Sequence, residues 1–351
     1  MTNETTTLAD YGWSQYFQSQ LSIEEFNDLI PARVMAVHRN GLDVAGPGFT
    51  GRVGLLVAED ETGWATVGDW LLLDPQSHAP KRLLDRKSLV KRKAAGTGRS
   101  VQLIAANIDT LLIVSSCNQD FNPARLERYL ALAREADVMP VIVLTKSDLV
   151  EDTEDYAAQA MALMPGLLVE CLDARADDQV EKLNAYCKPG QTVALVGSSG
   201  VGKSTLVNTL TGISALATGS IREADAHGRH TTSGRSLHRL AAGGWLLDTP
   251  GMRELQLADA GEGVEEVFED IVELGRECRF ADCKHETEPG CAVRTASEDG
   301  RLDVERLRRF RKLANEERRN SEDLWQRRER ERGFGKMIRS KLKEKQGRRD
   351  G

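Results

Sequence analysis

A glycine-rich segment near the middle of the chain has the residue types of a phosphate-binding loop. It reads GSSGVGKST, follows an apolar run at residues 192–196 and precedes LVNTLTG, which has a helical pattern. Glycines let backbone N–H groups converge on phosphate oxygens, and the N-terminus of a following helix favours negative charge. Lys203 would place a positive charge at the β and γ phosphates, and Ser204 a hydroxyl at Mg²⁺. The sequence therefore predicts a nucleotide-binding P-loop made of Gly197, Ser198, Ser199, Gly200, Val201, Gly202, Lys203, Ser204 and Thr205.

A second polar motif follows the apolar run at residues 140–144 and consists of Thr145, Lys146, Ser147 and Asp148. It resembles the guanine-recognition motif NKxD, with Thr in place of Asn. The Asp148 carboxylate can accept hydrogen bonds from N1–H and N2–H of guanine, whereas adenine offers neither donor there. Bound ATP would leave a desolvated carboxylate unpaired, so the motif favours GTP. A TKSD segment alone is more often a capped helix start, but the preceding strand and the P-loop favour a base site.

A third motif, DTPG, follows the apolar run at residues 244–247 and contains Asp248 and Gly251. The carboxylate suits a residue that assists Mg²⁺, and the glycine N–H suits a sensor of the γ-phosphate. DTPG also makes an ordinary turn, but its position downstream of the P-loop favours the functional interpretation. In ordinary GTPases the base motif follows the P-loop, whereas here it precedes it by about fifty residues. The order of the motifs is therefore circularly permuted.

Three cysteines and one histidine crowd into fourteen residues near the end of the acidic part of the chain. Three thiolates and one imidazole form a complete tetrahedral Zn²⁺ set with no position left for water, which is typical of a structural site. Unligated cysteines are the alternative, and His227, His230 and His238 could compete as ligands. The spacing favours the set Cys278, Cys283, His285 and Cys291.

The other three cysteines are scattered through apolar or mixed surroundings. We interpret Cys117, Cys171 and Cys187 as buried small hydrophobes or inert surface thiols.

The motifs follow apolar runs that indicate strands at residues 109–115, 140–144, 192–196 and 244–247. A helical pattern at residues 123–136 separates the first two runs. This alternation predicts an α/β fold with a parallel sheet, and sites at the carboxyl ends of strands are where open α/β sheets bind ligands.

The amino-terminal third has a different pattern. Residues 1–30 resemble a loosely held lead-in, and the runs ARVMAVHRNGLDVAG, FTGRVGLLV and VGDWLLLD predict short strands of a small β-barrel. The basic stretch KRKAAGTGRS near Lys91 predicts a linker and a domain boundary near residue 95. Phe49, Trp64 and Trp70 could stack on bases, but each is individually expected in the core.

The charge is unevenly distributed. The net charge is −7, yet residues 301–351 hold 19 Lys or Arg against 10 Asp or Glu. Residues 304–345 form a charged helical region that could contact a polyanion or remain a solvated helix. No run is long and apolar enough for a membrane helix, so a cytoplasmic protein is expected. The candidate phosphate contacts are residues 81–99 with Arg318, Arg319, Arg327, Arg328, Lys336, Arg339, Lys341 and Lys343.

From Ala32 onward the chain resembles the circularly permuted bacterial GTPases that act in late assembly of the small ribosomal subunit, the RsgA or YjeQ-like family. The resemblance rests on AANIDTLLIV, TKSD, GSSGVGKST, GRHTT, DTPG and the Cys/His cluster. It implies a lead-in at residues 1–30, an OB-fold RNA-binding barrel at 31–93, a circularly permuted GTPase domain at 94–258, and a zinc-binding, mainly helical domain with a basic tail at 259–351.

The resemblance also implies roles for the segment GRHTT. It aligns Thr232 with the switch hydroxyl that joins Ser204 at Mg²⁺, although the adjacent Thr231 is an alternative. Met252 stands where Ras-like enzymes position water with Gln, so His230 becomes the candidate that orients the attacking water. His230 could instead contact RNA or cap a turn. The SA-containing segment that supports guanine in related GTPases is replaced here by ECLDA at residues 170–174.

The resulting expectation is a monomeric GTPase whose partners are GTP, GDP, the small ribosomal subunit and its rRNA, with Mg²⁺ and one structural Zn²⁺. Its reaction would convert GTP to GDP and phosphate during late subunit assembly. One alternative is a GTP- or GDP-sensing RNA-binding module with negligible turnover, which the missing Gln favours. A P-loop ATPase is disfavoured by TKSD.

Overall fold

The computed structural model describes residues 6–56, 63–93, 101–212, 235–248 and 260–321. The described residues belong to two compact units. One unit spans Met1–Gln256 and Glu262–Glu269, and the other spans Leu257–Gly261 and Asp270–Gly351. His230, Thr232 and Gly251 lie outside the described residues, as does the basic tail beyond residue 321.

The described part of the chain forms strands, α-helices and three short 3₁₀ helices. The strands are β1 (Ile30–His38), β2 (Gly41–Gly46), β3 (Phe49–Val53), β4 (Trp70–Leu73), β5 (Pro80–Leu83), β6 (Leu89–Lys93), β7 (Val101–Ala106), β8 (Thr110–Ser116), β9 (Met139–Thr145), β10 (Leu168–Cys171), β11 (Thr192–Gly197), β12 (Ser236–Arg239) and β13 (Trp245–Asp248). The helices are α1 (Gln15–Gln18), α2 (Ile23–Asp28), α3 (Pro123–Glu135), α4 (Glu154–Met161), α5 (Asp177–Val180), α6 (Lys203–Thr211), α7 (Gly261–Val267), α8 (Glu269–Arg276), α9 (Ala292–Glu298) and α10 (Val304–Ser321). The 3₁₀ helices are Ala9–Tyr11, Ser147–Leu149 and Glu181–Ala185.

The predicted parallel sheet is confirmed. Its strands lie in the order β10-β9-β8-β11-β13, and all of these pairs are parallel. Every residue of β8 is buried, as expected for a strand covered on both faces. Leu206 and Leu210 of α6 pack in the same core as Val114, Val143 and other residues of the sheet. The carboxyl ends of the five strands meet at one edge.

The strands predicted in the amino-terminal third form an antiparallel arrangement in the same unit. β1 pairs with β2 and β4, β2 pairs with β3, and β4 pairs with β5. Their apolar side chains, including Val34, Leu42 and Leu71, form a core of their own. β1 also pairs with β12 at Ala36 and Ser236, so these strands continue the edge of the main sheet through β12.

A buried arginine joins the two sets of strands. The Arg33 guanidinium donates to the Thr192 hydroxyl at 2.7 Å and to the Tyr11 carbonyl at 2.6 Å. Burial lowers the pKa of Arg33 to about 10, while Asp109 and Asp69 oppose that shift. Arg33 therefore remains charged at neutral pH, and its hydrogen bonds satisfy a charge that would otherwise be costly to bury.

The expectation of a loosely held lead-in is wrong for the described residues before β1. Phe17 is 1% exposed and packs with Trp70, Leu72 and Leu84. Tyr11 stacks on Trp245 with ring centroids 5.5 Å apart. These aromatic side chains bury large apolar areas, which holds the segment in place although it has no long helix or strand.

The expectation of a linker near Lys91 is also wrong in part. Residues 89–93 form β6, which pairs with β7 in a separate two-stranded antiparallel sheet. Val90 on β6 and Leu103 on β7 are buried, so the basic residues lie on a strand whose apolar positions face a core. The intervening residues 94–100 lie outside the described part of the chain.

The three aromatic residues considered as stacking platforms differ in exposure. Trp70 is 1% exposed, which confirms its expected place in the core. Phe49 is partly buried and packs against the core of the amino-terminal strands. Trp64 is 44% exposed, so its assignment to the core is wrong. Phe49 also stacks on His78 with ring centroids 4.0 Å apart.

The acidic stretch after residue 258 is helical, as predicted, and α10 covers residues 304–321 of the helical region predicted at 304–345, the rest of which lies outside the described residues. The acidic stretch forms two helices, α7 and α8, which are interrupted at the buried residue Phe268. In the second unit, Arg306 of α10 pairs with Asp270 of α8 at 2.7 Å. Among the described residues, no helix has the length and apolar character to cross a membrane.

Candidate nucleotide-binding site and metal cluster

The P-loop connects β11 to α6 at the carboxyl edge of the sheet. Gly197 has φ +145°, and a Cβ there would lie 2.1 Å from the Val114 carbonyl oxygen. Gly202 has φ +94°, and a Cβ there would meet the Thr145 hydroxyl at 3.3 Å. A side chain at either position would strain the backbone, and at Gly197 it would also clash with a neighbouring strand. The glycines therefore allow the loop to follow the sheet edge closely.

Lys203 begins α6 and folds back across the loop. Its Nζ donates to the Gly197 carbonyl at 2.8 Å and also contacts the Ser198 carbonyl. Ser204, in the first turn of α6, is exposed. The site thus combines the Lys203 cation, the exposed Ser204 hydroxyl and the N-terminus of α6. These are the groups that a Mg²⁺-bound nucleoside phosphate requires.

The base motif begins at the end of β9 and contacts the P-loop directly. Thr145 is fully buried, and its hydroxyl lies 2.6 Å from the Val201 carbonyl and 3.0 Å from the Ser115 carbonyl. One hydroxyl proton can serve only one of these acceptors at a time. The contact to Val201 joins the base motif to the phosphate loop, which gives a physical role to the threonine that replaces asparagine.

Asp148 lies in the 3₁₀ helix Ser147–Leu149, which follows Lys146 with its left-handed φ of +58°. The Asp148 side chain is 30% exposed and accepts a hydrogen bond from Arg175 at 2.6 Å. The segment expected at the position of the SA motif leads from β10 to Arg175. Within it, the Ala174 carbonyl accepts a hydrogen bond from Thr209 of α6 at 2.9 Å. This segment therefore lies beside both the base motif and the P-loop helix.

Asp248 ends β13, which pairs in parallel with the P-loop strand β11. Its side chain is partly buried. The described residues of all three nucleotide motifs thus lie at the same edge of the sheet, as the sequence predicted from the parallel strands.

The four predicted metal ligands lie together in the second unit. Their ligand atoms are all within 4.8 Å of one another. His285 Nδ1 is 3.4 Å from Cys291 Sγ and 3.6 Å from Cys278 Sγ. Burial, with a contribution from Arg311, lowers the pKa of His285, which favours the neutral imidazole that binds metals. Three sulfurs and one imidazole nitrogen at these separations suit a tetrahedral ion, and the cluster could hold a metal.

The other histidines and cysteines do not join this cluster in the part of the chain that the structure describes. His238 lies on β12 and contacts the Ser236 hydroxyl at 2.9 Å, while His227 falls outside the described residues. Cys117 and Cys187 are buried and Cys171 is partly buried, all as free thiols. Burial raises the pKa of Cys187 to about 12, as expected for an inert core thiol.

Comparisons with known proteins agree with this geometry. The model of the RsgA GTPase family matches residues 83–258. A relative from Mesorhizobium japonicum, named small ribosomal subunit biogenesis GTPase RsgA, is 53% identical over 92% of this chain and 93% of its own length. The chain belongs to the RsgA GTPase family. Another RsgA relative, from Vibrio parahaemolyticus and designated RsgA 2, is 49% identical over 97% of this chain and 94% of its own length.

Two solved structures have a similar fold. YjeQ from Thermotoga maritima superimposes with a TM-score of 0.60 at 24% identity, covering 82% of this chain and 98% of that one. YloQ, described as a circularly permuted GTPase, gives a TM-score of 0.59 at 22% identity, covering 84% and 97%. The resemblance stated from the motifs is therefore confirmed, and so is the mixed α/β fold.

Membership of the RsgA family makes the chain a GTP hydrolase that uses GTP together with Mg²⁺. The comparisons therefore favour a GTP hydrolase over the two alternatives, a nucleotide-sensing module and an ATPase.

Two arginines at the site of this RsgA family member were missed in the sequence analysis. Arg125, in the first turn of α3, contacts the Ser198 hydroxyl of the P-loop. Arg175 contacts Asp148 of the base motif. The start of α3 could be predicted from Asn122, which caps the helix by accepting from the Arg125 N–H, and from Pro123 in its first turn. These two residues indicate that Arg125 lies in the first turn of the helix. Neither signal indicates which loop the arginine reaches.

Replacing Thr145 by Val is expected to weaken GDP binding by about three- to tenfold and to lower stability by about 1–2 kcal/mol. The valine keeps the volume but leaves the Val201 and Ser115 carbonyls without their hydroxyl partner. Isothermal titration with GDP and denaturant unfolding measure the two effects. Thr145→Ser, which retains the hydroxyl, is the control and should stay close to the parent. Parental binding and stability in Thr145→Val would show that the contact to the P-loop is unimportant.

Proposed function

We propose that this chain binds the small ribosomal subunit and its rRNA and hydrolyses GTP to GDP and phosphate during late subunit assembly. The observation that carries the proposal is the 53% identity to an RsgA protein over 92% of the chain. The printed name of that relative assigns it to biogenesis of the small ribosomal subunit. The P-loop, the base motif and Asp248 lie at the same edge of the sheet, which supports a nucleotide site in this chain.

In this proposal the P-loop holds the phosphates and Asp148 recognises guanine. Residues 197–205 supply backbone N–H groups, and Lys203 leaves the loop carbonyls to contact the β and γ phosphates. Thr145, Lys146 and Ser147 complete the base site around Asp148. Ser204 and Thr232 hold Mg²⁺ with assistance from Asp248, and Gly251 senses the γ-phosphate. Mg²⁺ held by these residues would supply positive charge against the negative charge of the phosphates.

The proposed water-orienting residue is His230. Met252 occupies the position of the usual Gln and has no group that hydrogen-bonds water usefully, so another side chain must position the nucleophile. A histidine titrates near neutral pH and can accept a hydrogen bond from water. His230 and Thr232 lie outside the described residues, and their roles rest on the family resemblance.

The Cys/His cluster is proposed to hold one structural Zn²⁺. Cys278, Cys283, His285 and Cys291 supply a donor set without a carboxylate, which matches Zn²⁺ in its closed tetrahedral form. The four residues would fill the coordination sphere, so the ion would stabilise the second unit and take no part in hydrolysis.

RNA contacts are proposed for the amino-terminal strands and the basic tail. We assign residues 31–93 to an OB-fold RNA-binding barrel, with 1–30 as its lead-in, 94–258 to the GTPase domain, and 259–351 to the zinc-binding domain. The exposed Trp64 and the stacked pair Phe49 and His78 offer aromatic surface. Arg318 and Arg319, at the end of α10, begin the basic tail. The protein would work as a monomer in the cytoplasm.

Sedimentation with purified ribosomal subunits tests the partner. The chain bound to a non-hydrolysable GTP analogue should co-sediment with small subunits and should not co-sediment with large subunits. Binding should weaken steeply as salt increases, because phosphate contacts release counterions. Equal binding to both subunits, or binding that is independent of salt, would contradict the proposal.

A further inference from the structure

We infer that Arg175 competes with guanine for Asp148 and so lowers the affinity of the base site for guanine nucleotides. The inference rests on the proposed function of Asp148 as the guanine-recognising residue. Arg175 lies outside the P-loop, the base motif and DTPG, and through Asp148 it would control how tightly the nucleotide is held.

Three groups form a compact ionic cluster at the base site. Arg175 Nη2 donates to Asp148 Oδ2 at 2.6 Å and to Asp173 Oδ2 at 2.9 Å. Arg175 Nε donates to Asp173 Oδ1 at 3.0 Å. The pairing with Arg175 lowers the pKa of Asp173, as expected for an ionic contact. The Asp148 carboxylate is thus already paired with the positive charge of Arg175.

Guanine needs the group that Arg175 already contacts. Its N1–H and N2–H present two donors to one carboxylate, and the strength of both bonds depends on the negative charge of the acceptor. A guanidinium on Oδ2 neutralises much of that charge and brings its own positive charge towards the donor edge of the base. Whether guanine displaces Arg175 or shares the carboxylate with it, the base binds more weakly than it would to Asp148 alone.

Asp173 makes the competition reversible at low cost. The Asp173 side chain is 17% exposed and holds Arg175 through two side-chain hydrogen bonds and through the Arg175 backbone N–H at 3.0 Å. When guanine binds Asp148, Arg175 can remain on Asp173 and lose a single contact. The Arg175 side chain is itself 67% exposed, so solvent screens the pair and its effect should be modest.

The test compares the purified full-length chain with Arg175→Met, which keeps most of the length and removes the charge and the donors. By isothermal titration, the variant should bind GDP about two- to fivefold more tightly than the parent at low salt. The difference should shrink at high salt, because an exposed ion pair is screened. Inosine diphosphate, which lacks the N2 amino group, should gain less than GDP.

Two further variants keep the result interpretable. Arg52→Met breaks an Arg–Asp pair of similar exposure on β3, where Arg52 is 59% exposed, and should leave GDP binding unchanged. Arg175→Lys retains the charge and should bind GDP close to the parental affinity. Thermal unfolding of each variant verifies that the chain is folded.

The outcomes separate this inference from the proposed function. Tighter GDP binding by Arg175→Met, with a salt-dependent difference, supports the competition. Unchanged or weaker binding overturns it, and weaker binding would mean that Arg175 helps to hold the base. A parent chain that shows no preference for GDP over ADP would instead overturn the assignment of Asp148 on which the inference depends.

Discussion

Replacing Asp148 by Asn is expected to lower the affinity for GTP by about a hundredfold and to create affinity for xanthosine triphosphate. Asparagine can accept the guanine N1–H through its carbonyl, but its NH₂ group faces the guanine N2 amino group, donor against donor. Xanthine carries a carbonyl oxygen at that position, which accepts a hydrogen bond from the amide. Competition binding with GTP, XTP and ATP measures the change in preference.

The control for this substitution is the same change made four residues further along the chain. Asp152 accepts a hydrogen bond from the Glu154 N–H at 2.7 Å, and asparagine can make the same contact. Asp152→Asn should therefore bind GTP like the parent. Retention of parental GTP affinity by Asp148→Asn would show that guanine is recognised elsewhere.

Replacing Cys291 by Ser is expected to abolish stoichiometric metal binding and to unfold the second unit at a much lower temperature than the parent. Structural Zn²⁺ contributes roughly 10–16 kcal/mol of apparent binding free energy in small zinc domains. Loss of one thiolate forfeits a large part of that stabilisation. The measurements are metal content by elemental analysis and thermal unfolding followed by circular dichroism, with and without a chelator.

Serine is chosen because it separates the two roles of Cys291. The Cys291 Sγ accepts a hydrogen bond from the Arg294 N–H at 3.4 Å and caps α9. Serine is a good N-cap, so the helix start should survive while the metal ligand is lost. Cys171→Ser, remote from the cluster in sequence, should keep full metal content. Parental metal content and melting in Cys291→Ser would contradict a structural role for the cluster.

The parts of the site that lie within short segments could be predicted from sequence. Positions 197 and 202 of the P-loop require glycine because both have positive φ angles and because a Cβ there would approach Val114 or Thr145 on the neighbouring strands. The cluster ligands lie within fourteen residues, so their spacing alone favours a common ion. The shared edge followed from the rule that motifs after parallel strands meet at one side of the sheet.

The contacts between distant segments could not be predicted in this way. Thr145 and Val201 are 56 residues apart, and their hydrogen bond depends on how two loops leave the sheet. Arg175 contacts Asp148 from 27 residues further along the chain, and it lies in a segment after β10 that has no periodic pattern. Phe17 packs on Trp70 with ring centroids 5.8 Å apart, although nothing in the composition of the first 30 residues marks it as core. In each case the packing of the folded chain decides the contact, and local residue preferences do not.

The most direct test of the account is steady-state GTP hydrolysis by the purified chain, with and without small ribosomal subunits. Large subunits and ATP serve as controls, and His230→Ala reports whether the proposed water-orienting residue is needed. The account predicts slow hydrolysis by the chain alone, strong and selective stimulation by small subunits, and loss of that stimulation in His230→Ala despite normal GTP binding. Turnover that no subunit changes, or that large subunits stimulate equally, would contradict coupling of the GTPase to the small subunit.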